Sequence, residues 1–155
     1  MKGRPRSVER KVAEHLTKIL SDVGKCDKPL ARIPVLGRTG PDITYNETKL
    51  IVDVKSRKAV PACLLAGDYD LLATEDGLLG VRLDQMSHID ETWMTIPTKS
   101  SKVVKDWLDH MDEWTKINEP DGISAIVLHR PGMPIGHSTV IISKEKLETL
   151  CHRLH

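Results

Sequence analysis

The period at which apolar residues recur changes along this chain, and that change constrains the fold more than any other feature of the sequence. Val8, Val12, Ala13, Leu16, Ile19 and Leu20 recur at helical spacing, as do Val103, Val104, Trp107, Leu108, Met111 and Trp114. Runs of strand length, rich in Ile and Val, lie at residues 49–55 and 123–129. A stripe of period 3.6 buries one side of a helix and a β-branched run joins a sheet, so helices must be set against strands. The expected class is α/β (α+β), a central mixed sheet flanked by helices. With 155 residues, one such domain over 1–155 is accommodated and little room is left for a second.

Punctuation residues place the elements. Ser7 is the expected N-cap of a first helix over residues 7–20, with Gly24 beyond its end. Residues 31–36 read as a short strand leading into a loop at 37–41. Residues 42–45 and 49–55 read as two arms of a hairpin about Asn46-Glu47-Thr48. On the second arm Leu50, Val52 and Val54 point to one face and Ile51, Asp53 and Lys55 to the other, which sets Asp53 beside Lys55. A second hairpin, 70–74 and 78–83 about Glu75-Asp76-Gly77, reads as an insertion within about residues 60–98. A helix from Ser100 or Ser101 to Ile117, strands at 123–129 and 138–142, and a last helix capped by Ser143 complete the order.

The formal net charge of +1 conceals a division. Residues 1–58 carry 14 Lys/Arg and 7 Asp/Glu, net +7, whereas the remainder carries 9 and 15, net −6. Clustered Lys and Arg attract phosphates whatever the total charge, so the first third of the chain points toward nucleic acid. Cys26, Cys63 and Cys151 lack paired metal or redox spacing and read as ordinary thiols, and His129 and His137 read as decoration of the Pro131-Gly132 turn. No apolar run approaches the roughly 20 residues of a membrane span. The basic N-terminus is followed by an amphipathic segment, so a cytoplasmic protein, or one of the host cytoplasm if phage-encoded, is expected.

Several ionisable residues stand out by position. On the first helix Glu9 falls at about 100°, inside an apolar arc of about 140°, while Glu14 falls near 240° on the wet side. A carboxylate on a buried stripe needs a metal or a cation beside it. Asp42 opens a strand after Pro41, and Asp53 shares a face with Lys55. If the hairpin brings Asp42 to Asp53, the crowded carboxylates repel and favour a divalent cation; oxygen-only ligation suits Mg²⁺ or Mn²⁺ better than zinc.

Pro41-Asp42, ten intervening residues, then Asp53-Val54-Lys55 on a β-branched strand resembles the PD-(D/E)xK signature of restriction-endonuclease-like nucleases. Lys2-Gly3, Ser7-Val8-Glu9-Arg10 and the run Asp53-Val54-Lys55-Ser56-Arg57-Lys58 resemble archaeal-type Holliday junction resolvases most closely. The likeness covers residues 2–58; beyond them it extends only to the order of helices and strands. It implies a restriction-endonuclease-like core and a Mg²⁺-dependent DNA endonuclease, Mn²⁺ substituting, that makes paired nicks in four-way junctions as a homodimer. It implies Glu9, Asp42 and Asp53 as metal-binding acids, Val54 as a carbonyl ligand and Lys55 as the catalytic cation. Arg4, Arg6, Arg10, Arg38, Arg57 and Lys58, with Thr39, would contact phosphates. The sequence departs from those resolvases where Asp53 replaces their usual Glu and where the connection 59–98 is longer. The Q-x-x-x-Y motif of exonuclease relatives is absent from the helix ending at Ile117.

Alternatives on the same residues are a restriction- or repair-type duplex endonuclease and a non-catalytic DNA-binding module. Trp107, Met111 and Trp114 read as core or dimer packing. With 3 Trp, 2 Tyr and no Phe, recognition by shape and phosphate contact fits better than stacking along a single strand.

Overall fold

A computed structural model describes residues 5–34 and 40–155. Arg4, Arg38, Thr39 and the side chain of Arg6, all expected phosphate contacts, lie outside the described residues. The chain forms α1 (Pro5–Asp22), β1 (Leu50–Ser56), β2 (Leu71–Thr74), β3 (Leu78–Arg82), β4 (Thr95–Thr98), α2 (Lys102–Asn118), β5 (Ile123–His129), β6 (Thr139–Ser143) and α3 (Leu147–Leu154). The strands build one six-stranded mixed sheet in the order β1-β5-β6-β3-β2-β4. β1 runs parallel to β5 and β2 to β4, while β5/β6, β6/β3 and β3/β2 are antiparallel. The mixed α/β class expected from the two periods is therefore present. No helix among the described residues is long and apolar enough to cross a membrane.

Alternation along the central strands separates two cores. Val12, Leu16 and Leu20 of α1 and Leu150 and Leu154 of α3 meet Val52, Ile123, Ala125 and Val127 on one face of the sheet. On the other face Val104, Leu108 and Met111 of α2 meet Ile51, Ile126 and Leu128. All seven residues of β5 are buried, as expected of a parallel-paired strand covered by helices on both sides. Its polar members are satisfied: Ser124 Oγ donates to Thr115 Oγ1 at 2.9 Å. His129, 4% exposed, is no turn ornament. Because the Met133 carbonyl 2.9 Å from its Nε2 can only accept, Nε2 carries the proton, and Nδ1 accepts from the Ser56 hydroxyl at 3.0 Å. That bond pins the end of β1 to β5.

Helix ends depart from expectation by a few residues. α1 begins at Pro5, a residue suited to a first turn because its missing N–H would be unbonded there anyway, so Ser7 is inside the helix rather than its cap. Ser101 caps α2, its side chain accepting from the Val104 N–H. Ser143 makes no cap bond; a single 3₁₀ turn, Lys144–Lys146, intervenes before α3.

The larger correction concerns the first hairpin. Residues 42–45 and β1 do not form a ladder, and of the strand expected over 31–36 the described residues, 31–34, show one antiparallel bridge, Arg32 to Ile43. Segment 31–33 pairs with 42–44 through Ile33 N–H to Asp42 O and Thr44 N–H to Ala31 O, each 2.8 Å. A single backbone–backbone bond, Asp42 N–H to Val52 O at 2.9 Å, joins that pair to β1. The reason lies in Asp42 itself: its carboxylate Oδ2 takes the Val54 N–H at 2.8 Å, the donor that a continuing partner strand would have used. β1 completes its ladder on the opposite edge with β5. The turn at 46–49 does form, with the Thr48 N–H and hydroxyl on Asn46 Oδ1 at 3.0 and 2.6 Å, and leaves Lys49 at φ 54°.

The second hairpin forms as β2 and β3. β3 pairs with β6 and an unexpected strand, β4, lines up on β2, so residues 59–98 extend the central sheet. β6 is displaced by one residue from the expected 138–142.

Candidate active site

The free edge of β1 and one flank of α2 enclose an open cleft of about 630 Å³. Asp42, Asp53 and Lys55 form its floor, and Trp107, His110 and Trp114 stand along its α2 wall. Strand alternation explains the floor: Asp53 and Lys55 share the face of Ile51, which packs on α2, and Lys55 Nζ lies 3.2 Å from Asp53 Oδ2. Asp42 approaches from beyond the strand edge. Since a strand residue turns its N–H and C=O to the same edge, the bonds from Asp42 to Val52 O and Val54 N show that Val54's carbonyl also faces this edge.

Two carboxyl groups so close cannot both carry charge cheaply. Asp42 is pushed from 3.8 up to about 8, by burial first, then by a hydrogen bond to Asp53 and by its charge; the Val54 N–H opposes the shift and Glu9 adds to it. At neutral pH Asp42 therefore holds a proton directed at Asp53.

Glu9 is placed differently. It is half-buried on α1, which packs on the opposite face of the sheet from α2, and it does not line the cleft. Its carboxylate receives the Arg32 Nε–H at 3.0 Å, so the cation its buried position demanded is Arg32. Its charge reaches the cleft only as the smallest of the upward pushes on Asp42. Among the described residues the one acid and imidazole triad whose ligand atoms all lie within 4.8 Å of one another is Glu91, Glu148 and His152, fully on the surface.

The α2 wall was not foreseen as part of a site. Trp107 packs partly on the core beneath α2, yet it also faces two cations, with Lys55 Nζ 5.3 Å and the Arg57 guanidinium 5.7 Å from the ring. Trp114 abuts Gly40, where an added Cβ would sit 2.9 Å from the indole Nε1, and Gly40 itself has φ +122°. Gly40 thus lets the chain pass the indole just before Pro41-Asp42. The available signal was the stripe Trp107, His110, Trp114, spaced three and four apart, in which a polar residue interrupts the aromatics. Of the expected phosphate contacts that the structure describes, Arg10, Arg57 and Lys58 are exposed, and Arg57 flanks the cleft through Trp107.

Trp107→Ala is expected to leave the fold intact and Lys55 loosely held, whereas Trp107→Phe should keep most of the cation–π contact. If Lys55 acts in catalysis, the first variant should lose roughly 5–30-fold in turnover, the equivalent of about 1–2 kcal/mol, and the second much less. Single-turnover rates of the two variants check this.

No protein-family model, curated protein or solved structure matches this chain.

Proposed function

We propose that the chain is a divalent-cation-dependent DNA endonuclease with a restriction-endonuclease-like core, acting on four-way junctions. The observation that carries the reading is the Asp42/Asp53 pair, one proton between two carboxyl groups, with Lys55 beside it on an otherwise basic first third of the chain. The order helix, bridged pair, DxK strand, helix, parallel strand supports the core assignment, residues 59–98 being added on the far side of the sheet.

The donor set suits Mg²⁺, with Mn²⁺ able to substitute: Asp42, Asp53 and the Val54 carbonyl offer only hard oxygen ligands. Glu9 would act on the site through its charge. When bound, the ion supplies Lewis-acid charge to a phosphodiester. The chain's own residues do the rest. Lys55, steadied by Asp53 and Trp107, presents an ammonium to the negative charge that develops on the attacked phosphate. Arg57, Lys58 and Arg10 hold neighbouring phosphates, so Arg57→Ala should weaken junction binding and reduce its salt slope by about one unit. Paired nicks in a symmetric junction require two such sites, which a two-fold dimer provides.

The test is cleavage of a labelled four-way junction and of a linear duplex with the same arm sequence, with and without Mg²⁺. Paired symmetric nicks in the junction alone support the full reading. Equal cutting of both substrates means a duplex endonuclease, and metal-independent binding without cutting means a DNA-binding module.

A further inference from the structure

We infer that the sheet edge farthest from the cleft, built by residues 59–98, is a docking surface for a cationic amphipathic segment of a partner protein. This segment carries 7 Asp/Glu against a single Arg, while residues 99–155 balance at 8 and 8, so the whole acidic excess of the chain sits here. β2 and β4 run parallel with Leu71 opposite Thr95, which brings together the residues just ahead of each strand, Tyr69 and Trp93. Their rings meet edge to face at 5.8 Å, and His88 lies against Tyr69 at the same distance.

Tyr69 is 60% exposed and Met94 beside Trp93 is 87% exposed. Tyr69 also has φ 60°, a left-handed conformation that is costly for a bulky aromatic. The turn that imposes it is made by its neighbours: Gly67 N–H bonds to Asp70 Oδ2 at 3.0 Å and Asp70 N–H to Gly67 O at 3.3 Å. None of these bonds requires an aromatic at 69, and a ring held outward at that cost is of use to a ligand. An aromatic centre ringed by charge is the anatomy of a binding hot spot.

The rim determines the partner's chemistry. Asp68 and Glu91 are 61% and 52% exposed, and Asp90 is exposed beside them. Arg82 on this edge is clamped between Asp68 and Asp84 at 2.5 and 2.6 Å, and the His152 imidazole lies 4.0 Å from Glu91, so the acids outnumber the fixed cations here. Phosphates are repelled by such a rim, and a second copy placed by two-fold symmetry would set acids against acids. A helix or strand with Lys/Arg around apolar anchors fits both parts. β4, the outermost strand of the sheet, lies beside it and leaves the β1 cleft open to DNA.

The probe is a Leu/Lys peptide with its leucines at helical spacing, compared with a Leu/Glu counterpart, by calorimetry at two salt concentrations. Saturable binding of the Leu/Lys peptide that weakens with salt, and none of the Leu/Glu peptide, is expected. Tyr69→Gly relieves the backbone and should raise the melting temperature while weakening the peptide about tenfold; Asp68→Asn with Glu91→Gln should weaken it similarly. DNA cleavage should be untouched by any of these changes, so the outcome does not depend on the nuclease reading. Absence of Leu/Lys binding, equal binding of Leu/Glu, or indifference to Tyr69→Gly would overturn the proposal. So would a dimer in sedimentation that Tyr69→Gly dissolves, or DNA that competes with the peptide for this edge.

Discussion

Asp53→Asn is expected to reduce Mg²⁺-dependent cleavage about 10³-fold or more, the effect of losing about 4 kcal/mol of transition-state stabilisation, while junction affinity in metal-free buffer stays within a few-fold of the parent. The substitution keeps the volume of the side chain, and an amide oxygen can still accept from Lys55, which lies 3.2 Å from the carboxylate in the parent. What it removes is the charge that, with Asp42, would hold a cation. Arg10, Arg57 and Lys58 are untouched, and one fewer negative charge at the cleft does not weaken phosphate contacts. Parallel measurement of single-turnover cutting and of metal-free binding separates the two effects. An Asp53→Asn protein that cuts at the parent rate would remove this cleft from consideration as the active site.

Cation affinity should climb steeply with pH up to about 8, the value to which Asp42 is raised. A divalent ion must displace the Asp42 proton, so each pH unit below that value should weaken apparent affinity by up to tenfold, with close to one proton released per ion near neutrality. The same shift has a sign for stability. Between its ordinary 3.8 and about 8, folded Asp42 keeps a proton that the unfolded chain has lost. Its contribution is therefore complete below 3.8 and disappears as pH rises through about 8, so cation-free protein should melt lower at pH 9 than at pH 6. Asp42→Asn cannot ionise and still offers an oxygen to the Val54 N–H and an amide to Asp53. Water in the open cleft screens part of the repulsion it removes, so a gain on the order of 1 kcal/mol, roughly 2–4 °C, is expected at pH 9 and about half of it at pH 6, midway between the two values. Calorimetric titration with Mg²⁺ or Mn²⁺ across this range, and melting of both proteins, check the two halves. A pH-independent affinity would mean that the ion does not bind at Asp42.

Much of the site was legible because it rests on local periodicity. Asp53 and Lys55 share a face by strand alternation alone, and the conflict of Glu9 with its apolar stripe was visible from helical angles. The answer to that conflict was not, since Arg32 is 23 residues away and reaches Glu9 only because the bridged segment 31–33 crosses α1. Likewise the Trp107 and Trp114 wall belonged by its spacing to a buried helix face. Its contact with Lys55, Arg57 and Gly40 depends on how α2 lies across the end of β1.

By itself the sequence determined the two helix stripes, the strand at 123–129, the β2/β3 hairpin and its turn, and the Asp53-x-Lys55 pair, because each follows from contacts between near neighbours. Tertiary structure alone decided that β1 pairs with β5 rather than with residues 42–45, that residues 59–98 continue the sheet, and that Asp42 is brought beside Asp53. Pairing is a competition among distant segments for one set of backbone bonds. The fully buried β5, covered on both faces, won that competition, and the Asp42 carboxylate took the bond left at the opposite edge.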